Sequence, residues 1–455
     1  MVYDLIIIGG GPAGYYAAEI AGKAGMKTLL IEASSLGGVC LNEGCIPTKT
    51  LLKSAKLYDS ARNGEKYGVY VEGARLNHED VIKRKDKVVG TLVSGIKSSL
   101  KKYGVETVEG FGKVTGRTAE GFGVDVSGIQ YTGKRLLIAT GSKPAVPPIR
   151  GIKEGLERGF VLTSREILSL VSVPETLVVI GAGAVGLEIA SYYNSAGSKV
   201  HVIEMLDHIA GNVDMDISKL LYKALTEKGL AFSLNSTVTE IGENYVAFVR
   251  EGKPEITECS KVLLSAGRVP SVEGLGLENI GVELAGRSIK TDERLRTNVP
   301  GVYAAGDVNG VSMLAHTAYR EAAVAVNNML GKRDIMRYNA VPSVIYTDPE
   351  AAWVGETEES ARIKGMDIET ITIPMAYSGR YMAENEDVGG ICKILVDKRF
   401  RKIAGVHMLG NYSSEIIYGA ALMMETELRP EDIEQLVFPH PTVSEIIRDG
   451  IFMMP

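Results

Sequence analysis

The sequence predicts an α/β protein made of two modules of one pattern followed by a C-terminal α+β portion, and three observations lead there. Residues 4–8 (DLIII) are a β-branched run that stops at the glycine cluster Gly9 to Gly14, passes through YYAAEIAGKAG, and ends in KTLLIE at Glu32. The same order returns as LVVI (177–180), GAGAVG (181–186), LEIASYYNSAG and SKVHVIE, ending at Glu204. From about 341 onward, strand-like GICKILVD and IAGVHMLG alternate with an apolar helix, SEIIYGAALMMETE, a composition unlike either module. Short β-branched runs bounded by glycine read as buried strands, and their alternation with helical stretches reads as a parallel sheet.

The 455 residues are enough for about three domains. Three landmarks place the borders: LLIATGSKPAVPP (136–148), KVLLSAGRVP (261–270) and GVYAAGDV (301–308). They predict a discontinuous first domain over 1–148 and 269–340, a second over 149–268 inserted in it, and a third over 341–455. Fifty basic against 56 acidic residues give a net charge of −6 with no long basic block, which excludes a nucleic-acid footprint. Phosphate-bearing ligands must then be held by local geometry. The start, MVYDLIII, has no cationic leader and no 20-residue apolar span follows, so the expectation is a cytoplasmic chain, neither secreted nor membrane-inserted. Four cysteines exclude a disulfide-stapled scaffold, and two of them, Cys40 and Cys45, form a close pair of the kind that is catalytic or metal-binding in a reducing compartment.

Each glycine cluster spells G-x-G-x-x-G. The first glycine permits the tight turn, the second lets a pyrophosphate approach the backbone, and the third lets helix and strand pack closely. The pyrophosphate then rests on the helix N-terminus, where free N–H groups face the anion. In both modules an acid able to bind a ribose hydroxyl lies 18 positions beyond the last glycine, Glu32 after Gly14 and Glu204 after Gly186. The repeat predicts two Rossmann-like dinucleotide sites. Glu204 would repel a 2′-phosphate, and Met205-Leu206-Asp207 offers no cation to attract one, which makes the second nucleotide NAD.

The cysteines stand in Gly37-Gly38-Val39-Cys40-Leu41-Asn42-Glu43-Gly44-Cys45-Ile46-Pro47-Thr48-Lys49. Residues five apart on a regular helix diverge by about 140° and cannot be bridged, so bond formation requires a distorted segment. Gly44 and Pro47 supply the distortion. A strained, accessible bond of this kind suits an electron relay; zinc would need a second pair or a nearby His, so no metal site is expected. Two buried free thiols are the plain alternative. Lys49, one turn after Cys45, would stabilise a thiolate or a reduced ring, or serve as a solvated surface cation. Near the C-terminus, Phe438-Pro439-His440-Pro441-Thr442-Val443-Ser444-Glu445 sets a restrained imidazole before a carboxylate able to orient it, the arrangement of a base and its orienting group. Cys259, Cys392 and Trp353 read as packing residues. Asp307 is open between a turn cap and a polyol-binding acid.

Taken in order, GGGPAG with Glu32, GGVCLNEGCIPTK, ATGSKP, GAGAVGLE with Glu204, SAGRVP, GVYAAGD, LAHTAYREA, PSVIYTDPEAAWVG and FPHPTVSE resemble the flavoprotein disulfide reductases that carry two dinucleotide modules, and within them most closely the lipoamide branch. The resemblance spans essentially the whole chain. It implies that Gly9, Gly11, Pro12, Gly14, Glu32 and Gly38 hold FAD, with Gly112 near the adenine and Asp307 on the ribitol. Thr140, Gly141, Ser142, Lys49 and Ala315 would complete that site. Gly181, Gly183, Ala184, Val185, Gly186 and Glu204, edged by Val238 and Gly267, would hold NAD, and Glu188 would partner Lys49 beside the flavin.

The same resemblance implies the chemistry. A dihydrolipoyl thiol, deprotonated by His440, attacks Cys40; the second thiol releases oxidised lipoyl; and Cys45 passes two electrons through FAD to NAD⁺. Glu445 orients His440, which serves the other subunit of an obligate homodimer, with a cis peptide at His440-Pro441. The implied partners are the lipoyl domains and acyltransferase core of a 2-oxoacid dehydrogenase complex, or the lipoyl carrier of a glycine-cleavage system. Departures from the pattern are Ser271 where relatives have Asn and Phe438 where some have His. Ala184 stands where glutathione reductases carry a Tyr, and the tail, Phe452-Met453-Met454-Pro455, lacks the thiol pair of mercuric and long thioredoxin reductases. Competing readings are an NADH-dependent reductase of another small disulfide and a structural subunit with an idle redox site.

Overall fold

The β-branched runs fold into two parallel sheets, each with its glycine turn at the carboxyl end of a central strand. In the computed structural model, residues 1–386 and 389–454 are described; Pro455 of the tail lies outside them. The chain divides into two compact units, one comprising Met1–Thr50, Ile82–Ala145 and Gly267–Arg337, the other Leu51–Val81, Val146–Ala266 and the chain from Tyr338 onward. The stretches 149–265 and 341–454 therefore fall largely together in the second unit.

In the first unit a five-stranded parallel sheet runs in the order Val302–Ala304, Leu136–Ile138, Leu5–Ile8, Thr28–Glu32, Glu106–Glu109. Every residue of Leu5–Ile8 is buried, so the strand is continuously apolar rather than alternating, as a strand covered on both faces must be. The helix Pro12–Lys23 buries Ala13, Gly14, Ala17, Ala18 and Ala21, a stripe small enough to bring its backbone close to the sheet. An antiparallel meander of Gly112–Thr118, Gly121–Val126 and Ile129–Gly133 contributes Val114, Phe122 and Val124 to a core shared with Ile6, Ile8, Leu29 and Ile31. Strand order reverses about Leu5–Ile8, and in such sheets ligands bind in the crevice beyond the carboxyl ends at that point. The segments starting at Gly9, Thr140 and Ala305 all leave strands at that end.

The second unit contains a parallel sheet in the order Val161–Leu162, Lys261–Leu264, Thr176–Ile180, Lys199–Ile203, Ala231–Ser233, and an antiparallel sheet in the order Ser343–Ile345, Ala351–Gly355, Lys402–Leu409, Ile391–Asp397, Ile368–Pro374. The helices Ser413–Glu425 and Glu445–Phe452 close the antiparallel sheet, burying Ile416, Ile417, Ala420, Ile446 and Ile447 against Val354, Ile394 and Val406. Cys392 lies in this core, and Cys259 is buried beside Phe248 and Val262 in the other; burial pushes both thiols up to about 12, which suits inert packing residues. Trp353 is half-buried on Ala351–Gly355.

Candidate active site

The three glycines of the first loop meet three different physical demands. Gly9 has φ 105°, and a Cβ there would lie 2.2 Å from the Ala139 carbonyl oxygen. A Cβ on Gly14 would lie 1.7 Å from the Gly9 carbonyl oxygen, so the helix can cross the strand this closely only as glycine. Gly11 is different: its nearest neighbour would be the Gly38 Cα at an ordinary 3.8 Å, and the helix N-terminus it precedes has no side-chain cap. The uncapped N–H groups beside that open backbone are what a pyrophosphate requires. A Cβ on Gly38 (φ 58°) would lie 2.6 Å from the Gly11 Cα, so two glycine backbones form the wall. The Glu32 carboxylate accepts from Gly10 N (2.6 Å) and Ser34 N (2.7 Å), which leaves lone pairs for ribose hydroxyls.

The second loop repeats this geometry. A Cβ on Gly181 (φ 103°) would lie 2.4 Å from the Ser265 carbonyl oxygen and one on Gly186 2.2 Å from the Gly181 carbonyl oxygen, while a Cβ on Gly183 would have open space. The helix Ala184–Ser195, with Val185 exposed in its first turn, is likewise uncapped. Glu204 accepts from Ala182 N (2.7 Å) and Leu206 N (2.9 Å). Val238 lies on Ser236–Ile241, whose first N–H donates to the Glu204 carbonyl. Gly267 belongs to the first unit, where its carbonyl accepts from Ala145 N.

The cysteine segment is two helices, Gly38–Glu43 and Cys45–Arg62, broken at Gly44. The Gly44 carbonyl accepts from Thr48 N (3.0 Å) and Thr48 Oγ1 (2.7 Å), which starts the second helix in a new direction. The break turns Cys40 and Cys45 towards each other. Both are thiols, and Cys40 is driven well above the usual thiol range first by its hydrogen bond with Cys45, then by burial, with the Lys49 cation working in the opposite direction. Two half-buried thiols hydrogen-bonded to one another are poised to lose two electrons as a disulfide.

Around the same sheet edge, Ser142 Oγ donates to Asp307 Oδ2 (2.5 Å), and Thr140 Oγ1 donates to the Ser271 carbonyl (2.7 Å) while Ser271 N donates to the Gly141 carbonyl (2.9 Å). Both bonds at Ser271 are main-chain, so the departure from Asn there costs neither. Gly112 lies over Ile8 and Ile31, each 3.2 Å from where its Cβ would be. Ala315 opens the helix Ala315–Met329, a third N-terminus without a side-chain cap.

In the second unit, Glu445 is the first residue of its helix and receives His440 Nδ1 at 3.1 Å on both oxygens, Thr442 N at 2.9 Å and Arg448 at 3.2 Å. The Thr442 N–H, then His440 and Arg448, hold its carboxyl below the usual range against burial. With Nδ1–H committed to Glu445, Nε2 is the basic nitrogen, on a side chain 77% exposed. The His440-Pro441 bond is cis. Glu188 is buried, and its Oε1 accepts from Tyr346 N at 2.9 Å; Lys49 lies in the first unit.

Comparison with known proteins fits this geometry. The family model for pyridine nucleotide-disulphide oxidoreductases matches residues 3–322, and that for the dimerisation domain of the same family matches 341–450. The chain belongs to the pyridine nucleotide-disulphide oxidoreductases. Among these oxidoreductases it is 39% identical to a dihydrolipoyl dehydrogenase of Mycoplasma pneumoniae over 99% of this chain and 98% of that one. It is also 37% identical to the dihydrolipoyl dehydrogenase of Cupriavidus necator over 98% and 97%. Of solved structures, the HOCl-induced flavoprotein disulfide reductase RclA from Escherichia coli superposes with a TM-score of 0.87 at 29% identity over the full length of both chains.

Sequence reasoning left some members of this oxidoreductase's site unassigned. Arg268, inside the SAGRVP motif, donates from Nε to Ser142 Oγ and from a terminal nitrogen to the Ser142 carbonyl, both at 2.7 Å. Burial lowers its pKa against Asp307, Glu43 and Cys45. Glu321, fully buried, accepts from Gly306 N (2.5 Å) and Asn309 (3.0 Å) and so fixes the turn that carries Asp307. Tyr15 and Tyr319 share a 2.5 Å hydroxyl contact, and their phenols are raised by burial and in part by the nearby cysteines. Arg268, Glu321 and Tyr319 sit in quoted motifs, but pairing across 126 positions to Ser142 or 304 to Tyr15 has no local signal, and Glu321 reaches its turn only where the helix Ala315–Met329 packs on it.

Proposed function

We propose that the chain is a dihydrolipoyl dehydrogenase working as a homodimer, oxidising dihydrolipoyl groups and reducing NAD⁺ through Cys40, Cys45 and FAD. The observation that carries the proposal is the helix break at Gly44, which brings two thiols into hydrogen-bonding contact beside a nucleotide loop that accommodates a pyrophosphate. Curated relatives of nearly equal length and 37–39% identity bear the dihydrolipoyl dehydrogenase name. The open backbone at Gly11, the uncapped helix at Pro12, Glu32 and Asp307 suit the ADP and ribitol parts of FAD, and Gly183, Glu204 and the helix at Ala184 suit NAD.

When bound, FAD carries the electron pair from the thiolate of Cys45 to NAD⁺. His440, its Nδ1 proton held by Glu445, takes a proton from the substrate dithiol at Nε2; the resulting thiolate attacks Cys40 of the oxidised pair, and Cys45 departs as a thiolate. The second substrate thiol then attacks the substrate sulfur of the mixed disulfide and releases Cys40, leaving the enzyme dithiol and an oxidised lipoyl group. Lys49 stabilises negative charge at the pair. His440 serves the dithiol of the other copy, as its exposure and the dimerisation domain support. The lipoyl groups belong to a 2-oxoacid dehydrogenase complex or a glycine-cleavage carrier, and the chain works in the cytoplasm. Among the described residues no helix is long and apolar enough to cross a membrane.

The likeness to a flavoprotein disulfide reductase in its solved structures favours one second reading, an NADH-dependent reductase of another small disulfide. Assay of the purified enzyme with dihydrolipoamide and NAD⁺, and with NADH or NADPH against lipoamide and glutathione disulfide, separates the two. Turnover of lipoamide in both directions with NAD(H) is expected, and its absence overturns the first reading. Cys45→Ser should retain flavin and lose dithiol-to-NAD⁺ transfer.

A further inference from the structure

Lys393 lies in the antiparallel sheet of the second unit, on the strand Ile391–Asp397, yet its side chain is 2% exposed and ends among carboxylates of other elements. Its Nζ meets both oxygens of Asp214 (2.9 and 3.0 Å), Asp216 (2.5 Å) and Glu358 (2.8 Å). Burial pulls its pKa down, but the bonds from Asp216, Glu358 and Asp214 outweigh this and hold the ammonium charged. An aliphatic side chain at 393 would leave the carboxylates facing one another without their cation, a costly arrangement for a buried acid such as Asp214.

A line of hydrogen bonds runs from that cation to the second nucleotide loop. Asp214 caps the helix Met215–Glu227 through Asp216 N (3.0 Å). From the first turn of the helix, Ser218 Oγ donates to the Ile209 carbonyl (2.8 Å). The next residue, Ala210, sits at φ 67°, a left-handed conformation unusual for alanine, and its N–H donates to the Ala182 carbonyl (2.8 Å) between Gly181 and Gly183. Ala182 N in turn donates to Glu204 Oε2. The strained Ala210 turn persists because bonds on both sides of it over-determine its path.

We infer that Lys393 is a positioning residue for the pyridine nucleotide: through Asp214 and the 209–210 turn it holds the Gly181–Gly183 backbone in its nucleotide-accepting shape. This rests on the assignment of NAD to that loop.

The test uses the full-length, FAD-loaded enzyme in Lys393→Met, Lys393→Arg, Ser218→Ala and Gly183→Val forms. NADH and ADP-ribose affinity are measured by titration, the KM for NAD⁺ in turnover, and flavin reduction by dihydrolipoamide in the absence of NAD⁺. Lys393→Met should weaken NADH and ADP-ribose and raise the KM for NAD⁺ by about three- to thirtyfold, with flavin reduction unchanged and partial rescue by Lys393→Arg. A merely structural role would move flavin content and flavin reduction as well. Native NADH affinity in Lys393→Met overturns the inference; if that variant does not fold, Ser218→Ala decides, a weaker NADH affinity supporting the inference and native affinity overturning it. Gly183→Val separates the two levels. If it leaves NADH binding intact, the loop is not the NAD site and both readings fall; if it abolishes binding while Lys393→Met and Ser218→Ala do not weaken it, the positioning role alone falls.

Discussion

Gly11 and Gly14 stand three residues apart in one loop, yet a methyl group should act on them in opposite ways. At Gly11 it has room, so Gly11→Ala is expected to fold with a native melting temperature and to purify with a reduced flavin-to-protein ratio, because the methyl occupies the backbone face a pyrophosphate must reach. At Gly14 it meets the Gly9 carbonyl at 1.7 Å, and Gly14→Ala should cost about 1–3 kcal/mol or more of stability, visible as a lowered Tm even of protein without flavin. Glu445 carries the second prediction at this scale. Glu445→Gln keeps the shape but offers an amide that can turn its NH₂ to Nδ1, favouring the wrong tautomer. Turnover with dihydrolipoamide should fall by roughly 10²-fold or more, while the NADH affinity of the oxidised enzyme stays unchanged. The His440–Glu445 pair was legible because one six-residue segment holds both. Arg268 and Tyr319 were not, since their partners lie 126 and 304 positions away, and Glu321 was not, since only packing of its helix turns the side chain back onto the Gly306–Asn309 turn.

The break between the helices Gly38–Glu43 and Cys45–Arg62 shows how an element can encode chemistry. A Cβ on Gly44 would lie 3.2 Å from the Val39 carbonyl oxygen, close enough to push the turn that carries Cys40. Gly44→Ala should slow disulfide–dithiol interchange on the order of tenfold in rapid-mixing measurements, since small misplacements of reacting atoms are costly. On Lys402–Leu409, His407 is fully buried beside Lys393, with Nε2 on the Glu356 carbonyl (2.7 Å) and Nδ1 without a hydrogen-bond partner among the described residues. Burial, then the Lys393 charge, lower its pKa against the Glu356 carbonyl, Asp214 and Glu358. The unfolded chain therefore takes up a proton below about pH 6.5 that folded His407 refuses, so the unfolded state binds more protons and stability is lost as pH falls. The urea midpoint should drop from pH 7 to pH 5, with a shallower drop in His407→Phe; an equal slope in both would remove His407 as the cause. His201, lowered by burial and Arg250, adds to the same trend.

At the scale of the whole molecule, the proposed dimer makes each active site a product of two copies. Cys45→Ser and His440→Gln homodimers should each be inactive. Subunit exchange between them should restore about a quarter of native turnover, because half the dimers are then hybrids and each hybrid has one intact dithiol facing one intact His440. No recovery after exchange, with hybrids confirmed by mass, would place dithiol and base in the same chain.

Legible in the sequence alone were the two parallel sheets, the glycine turn at the end of each first strand, the acid after each second strand, and the redox character of Cys40 and Cys45. These depend on side-chain period, backbone freedom and residue chemistry within about thirty positions, which any reading of the chain can see. Only the tertiary structure decided how the Gly181–Gly183 loop is braced, that Arg268 and Glu321 support Ser142 and Asp307, and that a buried lysine 179 positions from Asp214 neutralises it. Those contacts arise where separately formed elements pack, and their physical cause, burial of charge that must find a partner, exists only once the chain has folded.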